Sequence, residues 1–280
     1  MSLKKLLWFD LRRGLFQKPL FFIIPTLIAL ISCFDLYRRV LFVNPNETLG
    51  IKISAGFADF LTYLYGGTTT YDPYSGNPFA RWMLVLLSVC FLTLHYPNQD
   101  VQTYGQQLLI RTQSRLAWWL SKCIWNIAGV LLYHGLLILS AALFCLLVQA
   151  DFTGGPQKEL LYHLFQVVPE QRMPAAAPWN CCFIVLPILV SLALNLLQMT
   201  FALFVKPILS FLILSASMVS SACFASPCLV GNYAMILRLD TVTVDGVSIK
   251  AGVILSLLLL LWAVIVGCVR FARCDILNQD

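Results

Sequence analysis

The chain has 280 residues, of which 59% are hydrophobic and only 11% are charged, and its formal net charge is +6. A water-soluble domain carries about a quarter charged residues, because its folded surface has to be solvated. The composition therefore excludes a soluble globular protein and predicts a single all-α membrane domain over residues 1–280.

Residues 1–18 are charged and amphipathic. Leucines recur at helical spacing, and basic residues lie elsewhere around the helix: Leu3, Leu6, Leu7, Leu11 and Leu15, with Lys4, Lys5, Arg12 and Arg13. This pattern predicts a helix in the headgroup plane, with its apolar side toward the lipid and its basic side on anionic headgroups. A plain cytoplasmic anchor for the first membrane span is an alternative that the pattern leaves open.

Six apolar runs follow, and each approaches the 20 or so residues with which a helix crosses a bilayer core of about 30 Å. The runs are Leu20–Leu36, Arg81–Tyr96, Ala117–Val148, Trp179–Val205, Pro207–Ala225 and Ala251–Val269. Lipid offers no partner for unpaired backbone groups, so each run is predicted to be an α-helix. The third run is long enough that it must tilt or project beyond the membrane.

The basic residues predict the orientation. With six spans and an inner N-terminus, the inner segments hold eleven of the 19 Lys and Arg residues but only four of the 13 acidic ones. Basic residues concentrate on the cytoplasmic side of membrane proteins. We therefore expect a multi-pass protein of the cell (inner or plasma) membrane with both termini in the cytoplasm.

Three connecting segments have features of their own. Residues 37–80 form a long outer segment, which we predict as a loop. The inner segment 98–116 follows Pro97, and Asn98 or Asp100 can cap a short helix there. Such a helix, with apolar residues exposed, suits docking into a groove of a partner protein. An ordinary basic connector is the alternative. Residues 225–238 are apolar but too short to span, and either re-enter the membrane from outside or rest on its surface.

These features together resemble the permease subunits of bacterial ABC transporters of the ABC-2 type. The resemblance rests on the amphipathic N-terminus, the six spans and two local patterns, YGQQLLIRTQSRLAWWLSK at Tyr104–Lys122 and GNYAMILR at Gly231–Arg238. In that family two six-helix permeases face each other above two separate ATPase subunits. The resemblance implies a coupling helix at Asn98–Arg111 that sits in a groove of the ATPase.

The resemblance and the sequence together give three sets of candidate site residues. The ATPase-coupling set is Val101, Tyr104, Gln107, Leu108, Leu109, Arg111 and Arg115. The re-entrant set is Pro227, Gly231, Asn232 and Tyr233. A candidate polar path, for which helix packing is the alternative explanation, comprises Ser217, Ser220, Ser221 and His134. Asn195 and Gln198 lie one helical turn apart and can meet a shared partner across the bundle.

The expected function is export of a hydrophobic or amphipathic substrate (a peptide, lipid or drug), driven by ATP. The sequence contains no GxxxxGK[ST] motif, so we expect no cofactor in this chain, with ATP and Mg²⁺ bound by a partner ATPase. The other expected partners are a second permease copy, identical or similar, and the lipid bilayer, with no role for nucleic acid.

Three other classes stay open, and one of them is a membrane sensor or immunity scaffold without transport. An integral-membrane enzyme would need a catalytic group at membrane depth, and the sequence has no HExxH, no GxSxG and no close acidic pair. A proton-coupled secondary transporter could use His134. Broken helices at matching positions in two halves are typical of such transporters, and Pro25 and Pro187 fall in the first and fourth spans.

Overall fold

The computed structural model describes residues 3–43, 54–68, 78–102, 114–153, 155–157, 160–162, 182–242 and 246–273. Within these ranges the chain is helical and contains no β-strand. The α-helices are α1 (Leu3–Leu11), α2 (Leu20–Val43), α3 (Phe57–Tyr65), α4 (Pro78–Thr93), α5 (Tyr96–Gln102), α6 (Arg115–Val148), α7 (Cys182–Phe201), α8 (Pro207–Cys223) and α9 (Ile249–Arg273). A π-helical turn (Arg12–Phe16) follows α1, and two 3₁₀ turns (Val230–Ala234 and Ile236–Arg238) precede α9.

In the described part of the chain, five helical stretches are long and apolar enough to cross a membrane. They are Leu20–Phe42, Ala80–Asp100, Arg115–Val148, Phe183–Phe201 and Ile249–Arg273. They confirm five of the six predicted apolar runs as membrane-length helices. The remaining run, the fifth in chain order, is the helix α8 of 17 residues, which is about 25 Å long.

Local sequence explains where several helices begin and end. Ser114 accepts a hydrogen bond from the Ala117 amide at 3.3 Å and so caps the start of α6. Gln149 ends that helix in the left-handed conformation, at φ 57°. Pro207 occupies the first position of α8, where its missing N–H costs nothing.

The ends of the helices pack together at the two ends of the bundle. At one end, Leu6 of α1 packs in a cluster with Trp118 of α6, Leu196 of α7 and Phe271 of α9. The Trp118 and Phe271 rings stack there with centroids 4.6 Å apart. We call this the α1 end. The opposite end, which contains α3 and the two 3₁₀ turns, is the α3 end.

The N-terminal segment is helical, as predicted, but its leucines do not all face outward. Leu6 and Leu15 are buried in the protein, whereas Trp8 and Phe16 are 62% and 59% exposed. Leu6 lies in a buried cluster with Trp118 of α6, and Leu15 lies in another with Trp125 of the same helix. The exposed apolar surface is therefore aromatic.

Part of the predicted outer loop is also helical. α2 continues to Val43, and α3 lies within the segment that we expected to be a loop. Every residue from Ala58 to Tyr65 is buried. α3 starts beside the end of α6, where the Phe57 amide donates to the Asp151 carbonyl at 2.9 Å. Its nine residues are too few to span a membrane, and they pack inside the bundle.

Candidate functional site

Three buried charges meet at the α1 end. The Lys122 ammonium lies 2.5 Å from Asp10 Oδ1 and 2.6 Å from Asp100 Oδ2. The lysine and Asp10 side chains are fully buried, and that of Asp100 is 2% exposed. The residues come from α6, α1 and α5 respectively, so this ionic junction joins three separate helices.

Neighbouring side chains satisfy the junction. Ser121 Oγ donates to Asp10 Oδ2 at 2.6 Å, and the Tyr96 hydroxyl donates to Asp10 Oδ1 at 3.0 Å. The Lys122 ammonium also lies 4.7 Å and 4.9 Å from the ring centroids of Tyr96 and Trp118. Its contact with Asp100 Oδ2 is an ion pair without hydrogen-bond geometry. Pairing with Lys122 offsets the cost of burying both carboxylates, and Asp10 accepts hydrogen bonds as well.

The junction lies at the start of the predicted coupling segment. Asp100 and Val101 belong to α5, which leads directly into that segment. Arg115 begins α6, and its Nη1 donates to the Ala272 carbonyl near the end of α9 at 2.9 Å. The other coupling candidates, Tyr104, Gln107, Leu108, Leu109 and Arg111, lie outside the described residues, and their role stays a prediction.

The sequence contained one signal for the junction that our predictions did not use. Lys122 lies five residues inside the third apolar run, where an unpaired ammonium would be costly. Such a lysine requires a carboxylate partner, and Asp10 and Asp100 are two of the four acidic residues expected on the same side. The pairing itself depends on tertiary packing.

A small cavity with several polar groups in its lining lies between α4, α5, α6 and α7. The shared partner expected for Asn195 and Gln198 is α4: Thr93 Oγ1 donates to Asn195 Oδ1 at 2.8 Å, and Gln198 Nε2 donates to the Cys90 carbonyl at 3.0 Å. The cavity measures about 20 Å³, and a water needs about 10–15 Å³. Three buried polar atoms in its lining have no hydrogen-bond partner among the residues that the structure describes: Trp118 Nε1, Asn126 Oδ1 and Gln198 Oε1. The cavity has both the room and the polar partners for a bound water.

The members of the candidate polar path lie on different helices. His134 Nδ1 is 2.8 Å from the Tyr65 hydroxyl at the end of α3, and its Nε2 is buried without a partner among the described residues. On α8, Ser220 and Ser221 donate to the carbonyls of Ala216 and Ser217, each at 2.9 Å. Such bonds to the preceding turn are the usual way in which a helical serine is satisfied. In the described ranges no hydrogen bond joins His134 to these serines, and the path stays a prediction.

The predicted re-entrant set folds around a buried arginine. Arg238 Nη2 donates to the Ala222 carbonyl at 2.7 Å, and Nη1 donates to the Ser221 carbonyl and to Asn232 Oδ1. The guanidinium thereby caps the last carbonyls of α8, where a cation is favoured. Its Nε donates to the Thr68 carbonyl at 2.7 Å, which ties the chain after α3 to the same point.

The rest of this set is closely packed. Gly231, Asn232 and Tyr233 are buried, whereas Pro227 is exposed. The Tyr233 hydroxyl donates to the Pro227 carbonyl at 2.8 Å, so the segment turns back on itself. Protein therefore covers the first 3₁₀ turn, as a re-entrant segment requires, whereas Phe224 before it is exposed. Its depth in a membrane stays a prediction.

An exposed charge cluster anchors α3 to its neighbours. Arg81 Nη2 of α4 lies 3.0 Å from Asp35 Oδ2 of α2 and donates to the Tyr63 hydroxyl at 2.8 Å. Arg39 pairs with the same carboxylate at 3.3 Å. Burial, and then the hydrogen bond to Asp35, raises the pKa of Tyr63 to about 12.

The fold and these buried charges define a helical membrane protein. The sequence matches, over residues 22–277, the family described as "Protein of unknown function (DUF2705)", and the chain belongs to that family. No curated protein matches the sequence. The family description includes no activity, so a function has to be argued from the residues.

Proposed function

We propose that this chain is the transmembrane permease subunit of an ATP-driven ABC transporter of the ABC-2 type. The single observation that carries the proposal is the ionic junction. It fixes α5, the helix that leads into the predicted coupling segment, to the membrane helix α6 and to the N-terminal helix α1. A permease needs such a rigid connection between its ATPase contact and its spans.

The positions of the helix ends support six crossings. α8 begins just after α7 reaches the α1 end, and its last carbonyls meet Arg238 at the α3 end. α9 then runs back, so that Phe271 near its end packs on Trp118. If α8 crosses the membrane, both described ends of the chain lie on one side. The distribution of basic residues supports the cytoplasm as that side.

The proposed mechanism is mechanical. Closure of the partner ATPases upon binding ATP pushes on Asn98–Arg111. The rigid α5 passes this displacement through Asp100 and Lys122 to α6, and through Asp10 to α1. The second and fifth spans, α4 and α8, then reorient against a second permease copy, which is identical or similar. ATP and Mg²⁺ are bound by the ATPase, and this chain contributes no catalytic group.

The cargo proposed for this transporter is hydrophobic or amphipathic, such as a peptide, a lipid or a drug, and its direction is outward. Support comes from the apolar exposed faces of α4 and α8. Phe91 on α4 packs edge-on against Phe211 on α8, with centroids 6.0 Å apart. A path between these helices would be lined largely by apolar side chains.

The proposal is tested by a double substitution in the predicted coupling segment. Leu108→Asp together with Leu109→Asp places two carboxylates where the ATPase groove should accept apolar side chains. We expect ATPase activity that co-purifies with the tagged wild-type chain to be lost, while membrane insertion is retained. The matched control is Phe204→Asp, which changes a 53% exposed apolar residue between α7 and α8. Equal ATPase activity in the double variant and the wild type would refute the coupling role.

A further inference from the structure

An apolar groove lies between α8, α9 and the turn that follows α7, near the α1 end. Its volume is about 320 Å³, which falls within the range of small-molecule sites, about 300–1,000 Å³. Six side chains line the groove, and all of them are apolar: Phe201, Phe204, Val205, Ile213, Trp262 and Val266. The proposed transport mechanism assigns no role to this groove.

The groove opens toward the surroundings of the bundle. Trp262 is 46% exposed, Phe204 is 53% exposed and Ile213 is 47% exposed. α7 and α9 are long and apolar enough to cross a membrane, so exposed apolar side chains between them face lipid. The rings of Phe201 and Trp262 meet edge-on with centroids 6.2 Å apart, which joins α7 to α9 beside the groove. An apolar chain in the groove would contact side chains from three helical elements, more than a flat helix face can offer.

Two basic residues lie at one end of the groove. The guanidinium carbon of Arg270 lies 5.2 Å from the ring centroid of Phe204, which is part of the lining. Lys206 is exposed and directly follows Val205, another lining residue. Neither cation has an ion pair within the described ranges, and no lining residue is acidic. An anion at this end would therefore meet two positive charges and no carboxylate from the lining.

The apolar groove and its cationic end follow one another along both flanking helices. On α9, Trp262, Val266 and Arg270 are spaced four residues apart and so lie near one face, with Arg270 closest to the α1 end. Trp262 is about 12 Å from Arg270 along the helix axis. On the other side, Lys206 precedes α8, and Ile213 lies about 10 Å further along it. This order of cation and apolar surface matches the order of phosphate and acyl chain in a phospholipid.

We propose that this groove binds an anionic phospholipid, with one acyl chain along the six apolar side chains and the phosphate at Arg270 and Lys206. A zwitterionic lipid carries its own cation beside the phosphate and gains less from two basic residues. A soluble anion would gain nothing from the apolar lining. The inference rests on the membrane-length helices and not on coupling to an ATPase, so the lipid site and the proposed function can fail separately.

The test uses the purified full-length chain in neutral detergent micelles doped with phosphatidylglycerol or with phosphatidylcholine. Native mass spectrometry measures the lipid retained. For the wild type we expect phosphatidylglycerol to be retained in preference to phosphatidylcholine. Arg270→Gln and Lys206→Gln should each weaken the apparent affinity for phosphatidylglycerol by about fivefold, the usual contribution of one basic residue beside anionic headgroups. Val266→Trp fills the groove but keeps both charges, and it should abolish the preferential retention of phosphatidylglycerol.

Three further variants serve as controls. Arg12→Gln removes a charge from an exposed residue that does not line the groove, and it should change the affinity by about twofold or less. Ile265→Trp adds the same bulk as Val266→Trp at a 60% exposed position of α9 outside the lining, and it should leave retention unchanged. Arg270→Lys keeps the charge and should keep binding, which separates a lost ligand from a misfolded chain.

Three results would overturn the proposal. The first is equal weakening by Arg12→Gln and Arg270→Gln, or equal retention of the two lipids by the wild type. The second is full retention of phosphatidylglycerol by Val266→Trp, because charge alone would then hold the lipid outside the groove. The third is a lipid-free dimer of the wild type that dissociates in Val266→Trp, which would assign the groove to a second copy of the chain.

Discussion

Lys122 is the residue on which the α1 end depends. Its ammonium is enclosed by Asp10, Asp100 and two aromatic rings, with no exposure to solvent. A buried ion pair is poor evidence for net stability, because desolvation offsets much of the attraction. Removing one partner is costly, however, since the remaining charge stays buried without compensation.

We expect Lys122→Met to destabilise the chain by about 3–5 kcal/mol, because two carboxylates then lie buried without a cation. The loss should appear as a lower thermal unfolding midpoint in detergent. The matched control combines Lys122→Met with Asp10→Asn and Asp100→Asn, which removes all three charges and should recover most of the loss. Equal instability of the single and triple variants would show that packing, and not charge, determines the effect.

Tyr63 provides a prediction for alkaline pH. Its pKa is raised from 10.0 to about 12 in the folded chain, so between these values the unfolded state loses a proton that the folded state keeps. The folded state then binds more protons, and the stabilisation that Tyr63 contributes falls as the pH rises through this window. Below pH 10 the full contribution is present.

The measurement compares unfolding midpoints of the wild type and Tyr63→Phe as a function of pH. The variant loses the hydrogen bonds to Asp35 and Arg81 at every pH, and it lacks the titrating group. We therefore expect a gap between the two proteins that is constant up to pH about 10 and narrows between about 10 and 12. A gap that stays constant throughout would contradict the assigned environment of Tyr63.

At the scale of elements, the contact of the N-terminal segment with α6 depends on a glycine. Gly14 lies in the π-helical turn, and a Cβ there would come within 2.8 Å of Tyr96 Cζ and 2.9 Å of Trp125 Cε2. We expect Gly14→Ala to displace the N-terminal helix from α6 and to increase cleavage at 1–18 in limited proteolysis. Gly135→Ala is the control, because nothing lies within 4 Å of a Cβ at that position of α6. It should leave the cleavage pattern unchanged.

The apolar runs predicted most of the helices, since the length and hydropathy of a segment determine whether it can satisfy its backbone in lipid. α6 was predicted over Ala117–Val148 and is found over Arg115–Val148. α3 could not be predicted in this way, because FADFLTYLY is shorter than a span and its burial comes from neighbouring helices. Two long-range partners could not be predicted from the sequence either. Asp10 lies more than 100 residues from Lys122 along the chain, and Thr68 lies more than 100 residues from Arg238.

At the scale of the whole molecule, three separate pieces of chain are tied at each end of the bundle. The ionic junction joins α1, α5 and α6 at the α1 end. Arg238 joins α8, the 3₁₀ turns and the chain after α3 at the other end. In the proposed mechanism, a displacement of α5 is passed to α6 and α1 through the ionic junction.

The most direct test of the proposed function is to identify the proteins that co-purify with the tagged full-length chain from its native membrane. We predict an ATPase with a Walker motif in stoichiometric amount, with ATP hydrolysis in the eluate. Purification of the chain without any ATPase, under conditions that retain its native lipids, would contradict the assignment as an ABC permease subunit.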